Sequence, residues 1–319
     1  MPRVVQSTLR RGAIPSQVIG VRKRPSSQAQ KRKAKHDSDI AVSMGNVTAR
    51  DEVIFDIGAN FGQSTEIYLA AGYRVVAVEP NPRAAAALQS RLRLHVEARR
   101  LFVEEKAISG PEEQSSGEVM LYVNEEDSEW SSLYRSCGCR YDTSAQSVAV
   151  QTTTLAALYE THGSPHYIKI DTEGSDGNCL RQLRGLKPPP YLSFELNSLA
   201  WLAEASDLGY NAFKVVPQGS HHARHLQDRY GRPLTHAGPF GEEALGACGD
   251  GSWRPLEATL ADCKQLCVVH DATADIADFA AAPPRFIDRD FATLRACFPV
   301  ESRNDEEWYD IHCRHSSVE

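Results

Sequence analysis

The chain has 319 residues, 41% of them hydrophobic, enough to bury a sizeable core in one large domain with appendages or in two domains at most. Its formal charge is -7, yet Arg3, Arg10, Arg11, Arg22, Lys23, Arg24, Lys31, Arg32, Lys33 and Lys35 all precede the first acid, Asp37. The body is therefore strongly acidic, nucleic-acid binding is not expected except through the basic arm, and no run approaches the roughly 20 apolar residues of a membrane-spanning helix.

Residues 1–49 form this arm, rich in Arg, Ser and Gln and without a long apolar segment. Such a composition predicts a disordered polar tail rather than a secretory signal, with an organellar transit peptide as the alternative. Eight cysteines (Cys137, Cys139, Cys179, Cys248, Cys263, Cys267, Cys297 and Cys313) are scattered along the chain. Neither Cys137-x-Cys139 nor Cys263-x-x-x-Cys267 has a second pair at zinc-finger spacing, so reduced thiols in a cytoplasmic setting are expected and no metal is assigned.

From Val53 the pattern alternates between short apolar runs and helical stretches. Val53–Ile57 reads as a strand, Gln63–Ala71 as a helix, Arg74–Glu79 as a strand, and Pro82–Leu94 as an alanine-rich helix with proline at its first position. Leu101–Ile108 follows as a third strand, and Glu118–Val123 and Ser147–Thr152 as extended segments around a polar loop. Leu155–Thr161 is a short helix, His166–Asp171 a buried strand, Asn178–Arg184 a helix and Tyr191–Leu196 another strand. After a helix over Leu199–Leu208, Asn211–Val216 supplies a sixth strand and Trp308–Cys313 a seventh. This order predicts an α/β, doubly wound, mostly parallel, Rossmann-like sheet over residues 50–216. Residues 217–307, rich in Gly, His and Pro, make an inserted C-terminal cap that shapes the substrate site, and 308–319 return as the terminal strand and tail.

Open sheets of this type bind ligands beyond the carboxyl ends of their strands, where Asp56-Ile57-Gly58-Ala59-Asn60-Phe61-Gly62 lies. Gly58 and Gly62 permit a tight turn and close backbone approach, Asp56 and Asn60 offer polar groups, and Glu79, ending the second strand, can accept hydrogen bonds from the vicinal hydroxyls of a ribose. The dinucleotide fingerprint is not met, because Asn60 stands at its second glycine. An acidic Asp56 suits a cationic sulfonium better than a pyrophosphate. Two alternatives stay open: a nicotinamide-dependent oxidoreductase, or a non-catalytic nucleoside-binding protein. The plain structural alternative is that Asp56 and Asn60 cap a helix and Glu79 is a solvated strand end.

FDIGANFGQST, AVEPNP, KAIS, the Thr152–Leu155 segment, YIKIDTEG and SFELN, in that order between Val53 and Ser198, resemble the FkbM family of S-adenosylmethionine-dependent methyltransferases. The resemblance implies a seven-stranded methyltransferase sheet, S-adenosylmethionine as cofactor and methylation of a hydroxyl on a small molecule or sugar. It also implies Asp56, Gly58, Asn60, Gly62 and Glu79 in cofactor binding, with the strand end from Lys106 to Ser109, including Ala107, near the adenine side. Where relatives commonly show Thr-Leu-Asp, this chain reads Thr154-Leu155-Ala156.

For a hydroxyl acceptor the protein must align donor and acceptor and help remove a proton. Lys169-Ile170-Asp171-Thr172-Glu173-Gly174 offers alternating charged groups on one side of a strand end, so Asp171 or Glu173 is the expected base; the alternative, the two carboxylates binding a divalent metal with the help of Glu195, has no well-placed histidine, and no metal is assigned. Trp130-Ser131-Ser132-Leu133 and Gly238-Pro239-Phe240-Gly241 are candidate substrate walls; His221, His222 and His225 read as solvated loop histidines.

Overall fold

The computed structural model describes residues 49–110, 117–218, 253–269, 300–302 and 308–318. Their centre is a seven-stranded sheet of β1 (Val53–Ile57), β2 (Arg74–Val78), β3 (Leu101–Glu104), β7 (Tyr167–Ile170), β8 (Tyr191–Glu195), β9 (Tyr210–Pro217) and β12 (Tyr309–His315), in the order β3-β2-β1-β7-β8-β12-β9. All pairings are parallel except those of β12, which runs antiparallel to both β8 and β9. The seven expected strands are therefore the seven observed. From β1 the chain first works outward through β2 and β3, then returns to β7 on the other side of β1. That reversal opens a crevice at the carboxyl ends of β1 and β7, the place where such sheets take ligands.

Helices α1 (Gln63–Ala70), α2 (Pro82–Arg91) and α3 (Arg93–Glu97) accompany the β1–β3 half of the sheet. Asn81 caps α2, its side chain accepting from the Arg83 amide at 3.1 Å, with Pro82 at the first helical position. The helical pattern predicted through Leu94 breaks at Leu92. Every residue of β1 is buried, as a strand covered on both sides requires. Ile54, Val75, Ala77 and Tyr167 pack with Tyr68, Leu69 and Leu88 in one hydrophobic cluster. Phe55, Ile57, Ile168, Ile170 and Phe194 belong to a second, with α5 (Leu155–His162), α6 (Asp176–Gln182) and α7 (Leu199–Asp207), through Leu158, Leu180 and Leu202. Each fully buried side chain of this kind contributes roughly 1.5–3 kcal/mol.

Two expectations are corrected in detail. Leu101–Ile108 is not one strand: the Lys106 amide turns back onto the Glu104 carbonyl at 2.9 Å, and Ala107–Ile108 continue as a separate strand β4. The extended segments expected around the polar loop are β5 (Glu118–Asn124) and β6 (Ala145–Thr153), an antiparallel pair that joins β4 in a side sheet ordered β4-β6-β5. Between β5 and β6 lies the short helix α4 (Arg135–Gly138).

Within the 217–307 segment, α8 (Leu256–Leu266) packs on β9, and β10 (Cys267–Val269) pairs antiparallel with β11 (Val300–Ser302). The arm up to residue 48, His221, His222, His225 and the Gly238–Gly241 turn lie outside the described residues. Among the described residues Cys137, Cys139, Cys179, Cys263 and Cys313 are in no disulfide. Among the described residues no helix is long and apolar enough to cross a membrane.

Candidate active site

The loop from β1 to α1 takes left-handed backbone three times, at Gly58 (φ 81°), Asn60 (φ 47°) and Gly62 (φ 84°). The amides of Gly58 and Ala59 both donate to the Val78 carbonyl, at 2.9 and 3.1 Å, which seats the loop on the end of β2. Gly58 has no room for a side chain, because the backbone of Asp171 fills the place of its Cβ. Gly62 is the N-cap of α1 and no side chain caps that helix, so neither Asp56 nor Asn60 serves as its cap.

Asp56 lies beneath the loop, fully buried. Thr65 Oγ1 donates to its Oδ2 at 2.6 Å, and Lys169 Nζ stands 3.8 Å from its Oδ1, an oxygen without a hydrogen-bond partner. Burial raises its carboxyl above the usual range, against the opposing pull of Lys169 and Thr65. The Asn60 amide nitrogen Nδ2 is likewise buried without a partner.

Glu79 is buried rather than a solvated strand end. Its Oε2 accepts from the Asn60 amide at 2.7 Å and its Oε1 from the Asn81 amide at 2.8 Å. Burial pushes its carboxyl up to about 7, although these two bonds favour the charged form. Each carboxylate oxygen spends one acceptor direction on a backbone amide and keeps another. The Glu79 amide donates to the Glu104 carbonyl at 3.0 Å, and Ala107, buried, follows in β4. Gln182 ties that strand's end to the body: its Nε2 donates to the Ser109 carbonyl at 2.8 Å, and its Oε1 accepts from the Leu155 amide at 3.0 Å.

Across the crevice stand Asp171, Glu173 and Glu195, with carboxylate oxygens within 4.8 Å of one another. Lys169 is nearly fully buried and lies between two acids, its Nζ 2.9 Å from Asp171 Oδ2. Burial opposes its charge, but Asp171, Asp56 and Asp310 outweigh that and hold the ammonium protonated. Lys169 and Asp171 do share one side, as strand alternation predicts. Glu173 does not reach the group by alternation: β7 has ended, Glu173 sits in left-handed backbone (φ 52°), and its side chain pairs with the Arg140 guanidinium. Nor does it cap α6. The N-cap is Ser175, without a side-chain cap hydrogen bond, and Asp176 in the first turn instead ties down the turn before the helix, its Oδ2 accepting from the Thr172 hydroxyl at 3.1 Å and the Gly174 amide at 3.3 Å.

The β5–β6 connection arches over the crevice. Ser132 Oγ donates to the Glu173 carbonyl at 2.7 Å, and Ser128 Oγ stands 3.5 Å from Asn60 Oδ1, the outer limit of a hydrogen bond. Trp130 lies between these two serines, its ring centroid 5.3 Å from that of Tyr141, which is 80% exposed, and 5.8 Å from the Arg140 guanidinium. Arg140 and Asp310 join the candidate site, and Tyr141 lies beside Trp130; sequence reasoning missed all three. Asp310 opens the terminal strand opposite Glu195, buried, with Gln218 Nε2 donating to its Oδ2 at 2.6 Å. No local pattern marks Arg140 or Asp310, since each meets the site only through pairing across the fold. Lys169 and Arg140 neutralise two of the three clustered carboxylates, which makes the group an ion-pair network, and we assign no metal to it.

Residues 56–201 match the model of the methyltransferase FkbM domain. No curated protein matches the sequence. Among solved structures, the chain is similar to precorrin-6y C5,15-methyltransferase from Geobacter metallireducens, at 14% identity over 90% of this chain and 88% of that one, with a TM-score of 0.32. It is also similar to precorrin 8w decarboxylase from Methanobacterium thermoautotrophicum, at 15% identity over 58% and 75%, TM-score 0.29. A third likeness is to the YcgJ protein from Bacillus subtilis, at 9% identity over 88% and 99%, TM-score 0.32. Likenesses of this size say nothing about activity.

Proposed function

We propose that the FkbM methyltransferase domain at residues 56–201 takes its methyl group from S-adenosylmethionine and passes it to a hydroxyl of a small molecule or sugar. The observation that carries this reading is the Glu79 carboxylate, which holds the loop through the Asn60 and Asn81 amides yet keeps acceptor capacity for two ribose hydroxyls. Gly58, Asn60 and Gly62 let the backbone come close to the nucleoside, Asp56 with Thr65 anchors the strand beneath, and Ala107 flanks the adenine side. The unpartnered Asn60 Nδ2 and Asp56 Oδ1 fit a polar ligand. The bound cofactor supplies an electrophilic methyl on a cationic sulfonium, and Asp56, Glu79, Asp171, Glu173 and Glu195 outnumber the paired cations Lys169 and Arg140, a field that favours a cation over a pyrophosphate.

Asp171 and Glu173 stand on the far side of the crevice, where an acceptor hydroxyl has to be oriented and relieved of its proton. The Trp130 and Tyr141 rings offer that acceptor an apolar flank. Isothermal titration calorimetry with S-adenosylhomocysteine and with NAD tests the donor: binding of the thioether nucleoside without NAD is expected, and tight NAD binding with no response to S-adenosylhomocysteine would overturn the reading.

A further inference from the structure

The three clustered carboxylates differ in what neutralises them. Asp171 is held by Lys169 at 2.9 Å, and Glu173 by Arg140. Glu195, the last residue of β8 and half-buried, has a neutral partner: Asn197 Nδ2 donates to its Oε2 at 2.8 Å. A carboxylate locked to a cation is a poor proton acceptor, because taking up a proton forfeits the ion pair. Asp310, also bonded to a neutral amide, is buried and outside the three-membered group. The geometry points to Glu195 as the catalytic residue that receives the proton of the acceptor hydroxyl, with Asp171 and Glu173 as positioning residues; this rests on the methyltransferase reading above.

The charged groups facing Glu195 agree with the assignment. Asp171 and Glu173 from the turn after β7, Asp176 from α6 and Asp310 from β12 face it, and Arg140 is the cation among them. Burial, then the charges of Asp171 and Asp176, push the Glu195 carboxyl up to about 7, with Asn197 and Arg140 opposing. Burial and the charge of Glu195 push the Glu173 carboxyl well above the usual range in spite of Arg140, so what separates the two is geometry: Glu173 is paired with a guanidinium, Glu195 with a neutral amide. A base is most effective when its pKa lies near the working pH. In the step, the acceptor O–H proton goes to a Glu195 oxygen as the hydroxyl oxygen bonds the methyl carbon. The S–C bonding pair stays with sulfur, leaving an ether, a thioether and a neutral Glu195 that returns its proton to water.

The test uses the full chain with S-adenosylhomocysteine bound and glutamates labelled with carbon-13 at the side-chain carboxyl. A resonance titrating near neutrality is expected that disappears in Glu195→Gln, assigned apart from Glu79 by the Glu79→Gln spectrum. Transfer of labelled methyl from S-adenosylmethionine to catechol and to methyl glucoside is measured alongside, at saturating donor. There Glu195→Gln should lower turnover roughly 100-fold or more and remove the loss of rate below neutral pH, while Glu173→Gln keeps that limb. Affinity for S-adenosylhomocysteine should stay within about twofold. Failure to bind S-adenosylhomocysteine would sink the methyltransferase reading itself. Binding with Glu195 titrating at an ordinary carboxylate pH, or with Glu195→Gln turning over normally, or with turnover lost to a chelator and restored by magnesium, would overturn the assignment of Glu195 alone. The titration needs no acceptor, so it decides even if neither probe is methylated.

Discussion

A Cβ placed on Gly58 would stand 1.7 Å from the carbonyl oxygen of Asp171. The donor loop of β1 and the acidic end of β7 are thus in backbone contact, and the two halves of the site cannot move independently.

Gly58→Ala should accordingly harm both halves. The left-handed φ costs about 1–2 kcal/mol for any residue with a Cβ, and the collision is with backbone, which cannot rotate away. Gly62→Ala carries the same left-handed cost (φ 84°) but meets the Leu88 side chain at 2.8 Å, a side-chain neighbour where Gly58 has backbone. Calorimetric melting is expected to fall by at least about 2–4 °C for Gly58→Ala and by less for Gly62→Ala, with S-adenosylhomocysteine binding lost in the first. Equal effects would show that the contact does not matter.

The Glu79 carboxyl, raised to about 7 by burial, makes donor binding pH-dependent. Only the charged form accepts two ribose hydroxyls while holding two amides, so S-adenosylhomocysteine should bind roughly tenfold more weakly at about pH 6 than at about pH 8. Stability runs the other way: with the folded value above the unfolded one, the Glu79 contribution is fully present below about 4.5 and is lost as pH rises through about 7. Calorimetric titration of Glu79→Gln should show weak binding with this pH dependence removed.

Lys169 is buried between Asp56 and Asp171, and its removal strands two acids. Lys169→Met is expected to cost about 3–5 kcal/mol in urea unfolding, and Lys169→Met combined with Asp56→Asn less than the sum of the two single changes. Thr65→Val, which takes the hydroxyl from Asp56 Oδ2, should cost about 1–3 kcal/mol by the same measurement. Additive losses would show that the three side chains do not act as a unit.

Arg140 is the cation beside Glu173, and without it that carboxylate faces Asp171 and Glu195 alone. Arg140→Ala should lower methyl transfer with little effect on S-adenosylhomocysteine binding, since Arg140 pairs with Glu173, on the side of the crevice that the proposed reaction gives to the acceptor. Adding Glu173→Gln to Arg140→Ala should recover part of the lost thermal stability. A large loss of donor affinity in Arg140→Ala would place the residue elsewhere in the site.

Most of the framework was readable from short stretches. The buried run Val53–Ile57, the glycines at 58 and 62, and the acid at 79 signal strand, turn and ligand through local chemistry, because parallel strands are continuous apolar runs and left-handed turns need residues that tolerate them. The same local view made one strand of Leu101–Ile108, since nothing in its apolar pattern announces that Lys106 turns back onto Glu104 and sends Ala107 to a different sheet.

By itself, then, the sequence determined the succession of seven strands along the chain, the left-handed turn after the first of them and the carboxylates at the end of the strand beside it. Tertiary structure decided which carboxylate is neutralised by what. Arg140 reaches Glu173 from 33 residues away, and Asp310 faces Glu195 only because the terminal strand inserts beside β8. The physical reason is range: strand and turn formation depend on neighbours along the chain, whereas an ion pair depends on a few ångströms between groups that only the closed sheet brings together.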